Sequence, residues 1–389
     1  MEKFTKKVAS ILMSLSIILT SSCAQRVTVV DENASTEKFI FNDDETVGWG
    51  YYYVGQLFIV RPEALAENSN AETAPATDRV DDAVISRIEE YPVGGIALFS
   101  RNITSAEQLP MFISDLQSSS KYPLFIAVDE EGGRVARIAN SDFFNVASYK
   151  SMEDIGKSGD ASKAEEVGRQ IGSYLKELGF NLDFAPVADT NTNPQNIVIG
   201  DRSYGSDPAL VARMVSAQLD GMHDSGIMGT LKHFPGHGDT KDDTHSGYVS
   251  IEKTWDELKE CELVPFITAL PKADMVMVSH ITAVNVTSDK LPTSMSETMI
   301  TGKLRNELGY DGVIITDAMA MGAVADNYTS AEAAVTAVKA GVDIVLMPQN
   351  LDEAFNGVMN AVTDGEISME RLDESVLRIL KMKAKYKLI

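Results

Sequence analysis

Val313-Ile314-Ile315-Thr316-Asp317 is a run of four strand-forming residues that stops on a carboxylate. Before it lies an amphipathic stretch, 296–308, closed by Gly309. After it comes a second amphipathic stretch, 329–340, which opens with Thr329 and Glu332 and is followed by Gly341 and the apolar run 342–347. Thr with Glu three residues on is a capping box, and Gly just past a helix is a stop signal. A short apolar run without polar alternation suits a strand buried on both faces, as in a parallel sheet covered by helices. The segment therefore reads helix, strand, helix, strand, with an acid held at a strand's carboxyl end.

The same phrase recurs in both directions. Further apolar or β-branched runs stand at 54–60, 93–99, 124–128, 181–187, 227–231 and 275–279. Stretches with helical period lie at 78–91, 160–178, 208–225 and 254–270; the first puts Val80, Val84, Ile85 and Ile88 on one face. Thr254 with Glu257 repeats the capping box, and Gly179, Gly226, Gly309, Gly312 and Gly341 mark helix-to-strand joints. Eight such units over roughly 340 residues predict an α/β fold, a (β/α)8 TIM barrel forming a single catalytic domain over 47–389. The rival, a doubly wound open sheet, calls for a glycine-rich turn after the first strand, where this chain has Arg61-Pro62-Glu63. The acidic, Ala-rich stretch 64–77 reads as a long surface loop.

A barrel places its chemistry at the carboxyl ends of its strands. Five strand ends here carry Asp, Arg, Lys or His. They are Asp129 after the third run, Asp189 and Arg202 after the fourth, Lys232 and His233 after the fifth, His280 after the sixth and Asp317 after the seventh. Of five histidines, His233, His237, His245 and His280 fall in these segments, and only His223 lies on a predicted helix.

Composition narrows the function. The 389 residues include 34 Lys+Arg against 57 Asp+Glu, for a net charge of −23. Binding to nucleic acid needs the opposite excess, so no nucleic-acid partner is expected. Two cysteines exclude a disulfide framework and a four-Cys zinc site. The N-terminus is basic through Lys3, Lys6 and Lys7, continues with an apolar run over 8–19, and reaches Thr20-Ser21-Ser22-Cys23. That is the pattern of a signal peptide, too short to span a bilayer. It predicts a signal peptide over 1–22, lipidation at Cys23, an acidic tether over 23–46, and an exported protein whose only membrane attachment is the lipid anchor at the extracytoplasmic face. Removal of 1–22 leaves 31 basic and 56 acidic residues and a charge of −25. Nothing in the sequence speaks to oligomeric state.

His233-x3-His237 has metal-ligand spacing for a helix, but Pro235 and Gly236 between them oppose one. No phosphate-binding loop and no Gly-x-Ser-x-Gly elbow occurs, and no cofactor or metal is expected. Carboxylate chemistry remains. Asp317 as nucleophile, with Asp243-x-His245 as proton donor and acceptor, would cleave an acetal in two steps. A carboxylate two residues from an imidazole can orient it, and an imidazole titrates near pH ~6.5 without tuning.

These motifs resemble glycoside hydrolase family 3, in its β-N-acetylglucosaminidase branch. The segment Lys232-His233-Phe234-Pro235-Gly236-His237-Gly238-x4-Asp243-Thr244-His245 carries the likeness. Asp129-x-Glu131-Gly132-Gly133-Arg134-Val135, 181–189, 199–205 and 291–296 agree with it. The resemblance implies that Asp317 forms a glycosyl-enzyme and that His245, partnered by Asp243, is the general acid/base. It implies that Asp129, Arg202, Lys232 and His233 hold the terminal sugar of a β-N-acetylglucosaminide from peptidoglycan fragments or chitin oligosaccharides. Two departures stand out: Glu130 where the family often has Gln, and Ala318 where a second acid is common. Two alternatives remain open. One is phosphorolysis, since a His acid/base does not repel an anionic acceptor. The other is a non-catalytic sugar-binding lipoprotein, which would usually need two lobes and has no use for Asp243-x-His245.

Overall fold

The computed structural model of the chain describes residues 27–29, 38–40, 49–66, 74–240 and 249–389. Residues 1–22, expected to be a signal peptide, and Cys23, Asp243 and His245 lie outside the described residues. The chain divides into two units, 1–49 and 50–389. In the first, within the stretch expected to be an acidic tether, Val27–Val29 pairs antiparallel with Lys38–Ile40. The β-branched run Val27-Thr28-Val29 suits a strand.

The second unit contains the barrel. Its strands are β1 (Phe58–Val60), β2 (Gly95–Leu98), β3 (Phe125–Val128), β4 (Leu182–Asp183), β5 (Met228–Phe234), β6 (Met275–Val278), β7 (Val313–Thr316) and β8 (Val345–Leu346). They pair in parallel in the order 7-6-5-4-3-2-1-8. The ring closes where Ile344 N donates to Ile314 O and Thr316 N to Ile344 O, both at 3.0 Å. Every described residue of these eight strands is buried, as the unalternating apolar runs require.

Helices cover the outside. Ala161–Leu178 starts on Asp160, which accepts from Ser162 N, and stops at Gly179, φ +99°. It packs on Pro208–Asp224 through glycines: a Cβ at Gly221 would lie 1.9 Å from Glu165 O, so only glycine permits that approach. Both expected capping boxes form.

The boundaries differ from expectation where backbone chemistry overrides hydrophobicity. The first run, 54–60, is split: Trp49–Gln56 is helical and only Phe58–Val60 is strand. In the fourth, Pro186 has no N–H to give a ladder, and regular pairing is confined to Leu182–Asp183. The stretch 254–270 is two helices, Trp255–Glu260 and Leu263–Ala269, broken so that Pro265 falls in a first turn. The stretch 296–308 is wound as a π-helix over Thr298–Glu307. β5 extends beyond 231 to Phe234, so Lys232 and His233 belong to a strand.

At the amino ends of the strands, Met369–Lys385 sends Lys383 inward. Its Nζ donates to Gln56 Oε1 at 2.8 Å and Gly94 O at 3.0 Å, and the residue is 1% exposed. Burial pulls this ammonium down to about 7. An unfolded lysine titrates near ~10.4, so between the two values the unfolded chain binds the extra proton. Stability should therefore rise as pH goes from about 7 to about 10, a trend that Lys383→Met should flatten. Thermal midpoints across that range for both proteins check it; parallel curves would refute it.

Candidate active site

The cavity at the carboxyl ends of the strands has a volume of about 610 Å³. Asp129, Arg202, Lys232, His233 and Asp317 all line it, so the structure brings together every expected site residue among those it describes. Asp243 and His245 lie outside the described residues.

Lys232 and His233 are neighbours that would point to opposite faces of a regular strand. Between Val276 and Val278 on β6, however, β5 runs from Leu231 to Phe234, one residue more than its partner. This bulge breaks the alternation, and both side chains line the cavity.

A buried ion network floors the site. Glu131, 1% exposed, receives Arg202 through Nε at 2.8 Å and Nη2 at 2.7 Å, and its Oε1 lies 2.5 Å from Lys232 Nζ. Lys232 Nζ also donates to Asp129 Oδ1 at 2.7 Å. Burial opposes ionisation of Glu131, but the two cations outweigh it and hold the carboxyl well below its usual range. Burial likewise works against charge on Lys232, and Asp129 and Glu131 more than restore it. Asp129 is thereby left with Oδ2 3.6 Å from Arg137 Nη2 and a partly open face on the cavity.

His233 is held from both sides. Its Nδ1 lies 2.6 Å from Asp189 Oδ2, and its Nε2 lies 3.3 Å from Arg202 Nη2. A guanidinium can only donate, so Nε2 accepts and Nδ1 carries the proton toward Asp189. Asp189 is wholly buried; burial pushes its carboxyl up, but His233, His237 and the His237 N–H bring it below the usual value.

Asp317 follows β7 directly, and its backbone N–H donates to Val278 O at 2.8 Å. Its Oδ1 accepts from Ala318 N at 2.8 Å. Burial raises its carboxyl, but His280, His233, the Ala318 N–H and Lys232 together hold it below the ordinary value. It is therefore an anion at neutral pH, as a nucleophile must be. His280 Nε2 donates to Ala318 O at 2.9 Å, and its Nδ1 lies 2.8 Å from Ser294 Oγ.

Both departures from the family pattern have a local account. Ala318 acts through its backbone, donating to Asp317 and accepting from His280. Glu130 points away from the cavity, accepting from the N–H groups of Arg137, Ile138 and Ala139 and from Tyr174 Oη. It fixes the return of the chain after Gly132 and Gly133, both at positive φ, and so places Arg137 beside Asp129.

Several site residues had no assigned role in the sequence reading: Glu131, Arg137, His237, His280 and Arg61. Glu131 and His237 stood inside quoted motifs, and His280 stood at a strand end. Glu131 and its partner Arg202 lie 71 residues apart, and no local pattern reports such a pairing.

The model of the glycosyl hydrolase family 3 N-terminal domain matches residues 53–382. Beta-hexosaminidase A of Pseudoalteromonas piscicida is 36% identical over 329 residues, covering 77% of this chain and 54% of its own length. Beta-hexosaminidase LpqI of Mycobacterium tuberculosis is 33% identical over 309 residues, covering 76% of this chain and 77% of its own. Among solved structures, a glycoside hydrolase family 3 beta-N-acetylglucosaminidase from Paenibacillus sp. strain FPU-7 superposes with a TM-score of 0.79 at 38% identity. It covers 87% of this chain and 62% of that one. The chain thus spans about half the length of the Pseudoalteromonas protein and most of LpqI. An eight-stranded parallel barrel with its acidic and basic groups gathered at the carboxyl ends, together with a match over 53–382, leads to one assignment: the chain belongs to glycosyl hydrolase family 3.

Proposed function

We propose that the protein is a retaining exo-β-N-acetylglucosaminidase that removes terminal β-linked N-acetylglucosamine from peptidoglycan fragments or chitin oligosaccharides. The observation that carries this reading is the ionised Asp317 at the end of β7, in one cavity with a wall of sugar-binding donors and acceptors. Asp129 offers an acceptor, Lys232 and Arg202 offer donors, and His233 is locked in one tautomer between Asp189 and Arg202. Such a wall suits vicinal hydroxyls, each of which both donates and accepts.

In the first step an Asp317 oxygen attacks C1, the bond from C1 to the leaving oxygen breaks, and His245 protonates that oxygen. In the second, His245 takes a proton from water, the water oxygen attacks C1, and Asp317 departs. Asp243 orients the imidazole. The relatives named beta-hexosaminidase support this reading, and the N-terminal pattern supports export with a lipid anchor at Cys23.

Nuclear magnetic resonance of a fresh digest of 4-nitrophenyl β-N-acetylglucosaminide tests it. Two displacements should release the β anomer first. The α anomer first, or no release, would overturn the proposal. Sugar 1-phosphate formed in phosphate buffer would instead favour phosphorolysis.

A further inference from the structure

We infer that His280 is the positioning residue of the nucleophile: buried behind the cavity wall, it holds the Ala318 backbone that fixes the Asp317 carboxylate. The inference rests on the glycosidase reading and adds to it the group that aims the attacking carboxylate.

His280 stands two residues beyond β6 and is 1% exposed. Asp317 and Ala318 line the cavity; His280 is not among the described residues that do, and lies one layer behind them. Its backbone is clamped on both sides. Ser279 N and Oγ both donate to Phe234 O of β5, at 2.9 and 3.0 Å, and Ser294 N donates to Ser279 O at 3.0 Å. On the far side a short strand, Ile281–Ala283, pairs in parallel with Val249–Ile251, and Thr293 Oγ1 donates to Ile281 O at 2.8 Å. Ser279, Thr293 and Ser294 are wholly buried. The imidazole therefore starts from a fixed point.

Both ring nitrogens are engaged. Ala318 O can only accept, so Nε2 carries a proton toward it across 2.9 Å. Nδ1 lies 2.8 Å from Ser294 Oγ. In the neutral ring Nδ1 accepts from that hydroxyl, and in the protonated ring it donates to it. In either state Nε2–H is kept on Ala318. Without the hydroxyl, a neutral ring can carry its one proton on Nδ1 and let Ala318 go.

Ala318 in turn supplies the N–H that holds Asp317 Oδ1 at 2.8 Å. The last torsion of an aspartate has only a broad preference of its own, so a hydrogen bond to one oxygen decides the carboxylate plane. The turn after Asp317 is tied on one side to β8 and the residue after it, Met319 N to Leu346 O and Ala320 N to Met347 O, while Met321 N closes it on Ala318 O. His280 braces it from the opposite side, that of β6. Relaxation of this brace moves the Ala318 N–H and with it the carboxylate. A misplacement of roughly 1 Å at a reacting atom costs about 10²-fold in rate.

The test compares His280→Ala, His280→Gln and Ser294→Ala on 4-nitrophenyl β-N-acetylglucosaminide, each with and without Asp317→Ala. His280→Ala should lower kcat/KM by about 10²-fold. Affinity for N-acetylglucosamine, measured by calorimetry, should stay that of the wild type, because His280 does not touch the sugar. His280→Gln, whose amide donates near the place of Nε2, should recover most of the loss, and Ser294→Ala should show a smaller loss in the same direction. With Asp317→Ala, attack by azide uses no carboxylate, so adding His280→Ala should cost nothing further. Equal losses in both backgrounds would mark a merely structural residue and overturn the inference, as would wild-type kcat/KM in His280→Ala. If His280→Ala does not fold, the same cycle with Ser294→Ala decides. Crystal structures of the wild type and the same variant give a readout without turnover, and they decide where azide yields no product. Asp317 Oδ1 on Ala318 N in the wild type and displaced in the variant supports the inference, and an unmoved carboxylate overturns it. Displacement in the variant with no turnover by the wild type overturns the glycosidase reading and leaves the positioning role standing.

Discussion

Asp317→Ala should lower kcat/KM on an aryl β-N-acetylglucosaminide by about 10⁴-fold or more, the scale on which loss of a covalent nucleophile is felt. Asp317 is the carboxylate that a rigid apolar strand delivers to the cavity already ionised, with its Oδ1 fixed by the Ala318 N–H. The variant removes the attacking atom and little else, because Asp317 holds the fold through its backbone N–H on Val278 O. Thermal midpoint and sugar affinity should therefore stay near those of the wild type. The space left beside C1 offers a second readout. Azide, a small anionic nucleophile, can enter it and attack C1 from the face opposite the leaving group. The product is then an α-glycosyl azide, and its formation rises with azide concentration. Full activity in Asp317→Ala, or a β-glycosyl azide, would remove Asp317 from the role of nucleophile.

Asp317 was legible in the sequence for a physical reason that most of its neighbours lack. A four-residue apolar run has only one way to end at a barrel mouth, and the residue after it is delivered there. Lys232 and His233 were legible as a motif, but their shared orientation was not, because it depends on one extra residue of β5 opposite β6. Glu131 and Asp189 could be read as acids at strand ends, yet their tasks depend on Arg202 and His233, residues brought to them by closure of the ring. The fold followed from period and punctuation; β1 and β4 were overextended because apolar residues next to helical or proline-bound backbone look the same as strand.

Glu131→Gln should be the most destabilising conservative change in the site. The carboxylate is wholly buried and bridges two cations, with Arg202 on both oxygens and Lys232 on one. A buried pair that loses one partner leaves a charge in low dielectric and costs about 3–5 kcal/mol. Asp129 still answers Lys232, and Val198 O and His233 Nε2 still answer Arg202, so the lower end applies, about 3 kcal/mol. That corresponds to a fall of several degrees in the thermal midpoint, roughly 5–10 °C. The pH dependence identifies the cause. The folded carboxyl is held well below the value near ~4.3 at which an unfolded glutamate binds its proton. Its contribution is then complete above about pH 5 and is lost as pH falls through the acid range, where the unfolded chain takes up the proton first. The wild type should lose stability steeply on acidification, and Glu131→Gln, with nothing to titrate there, should lose less. The gap between the two proteins should be widest near neutrality and narrow toward pH 3. Because Arg202 and Lys232 are held in place by Glu131, KM on a neutral aryl glycoside should also rise, about tenfold for one displaced charge-assisted contact. Thermal midpoints across pH 3 to 8, with KM at neutrality, check both parts. A constant gap across that range would show that the Glu131 charge does not carry the network.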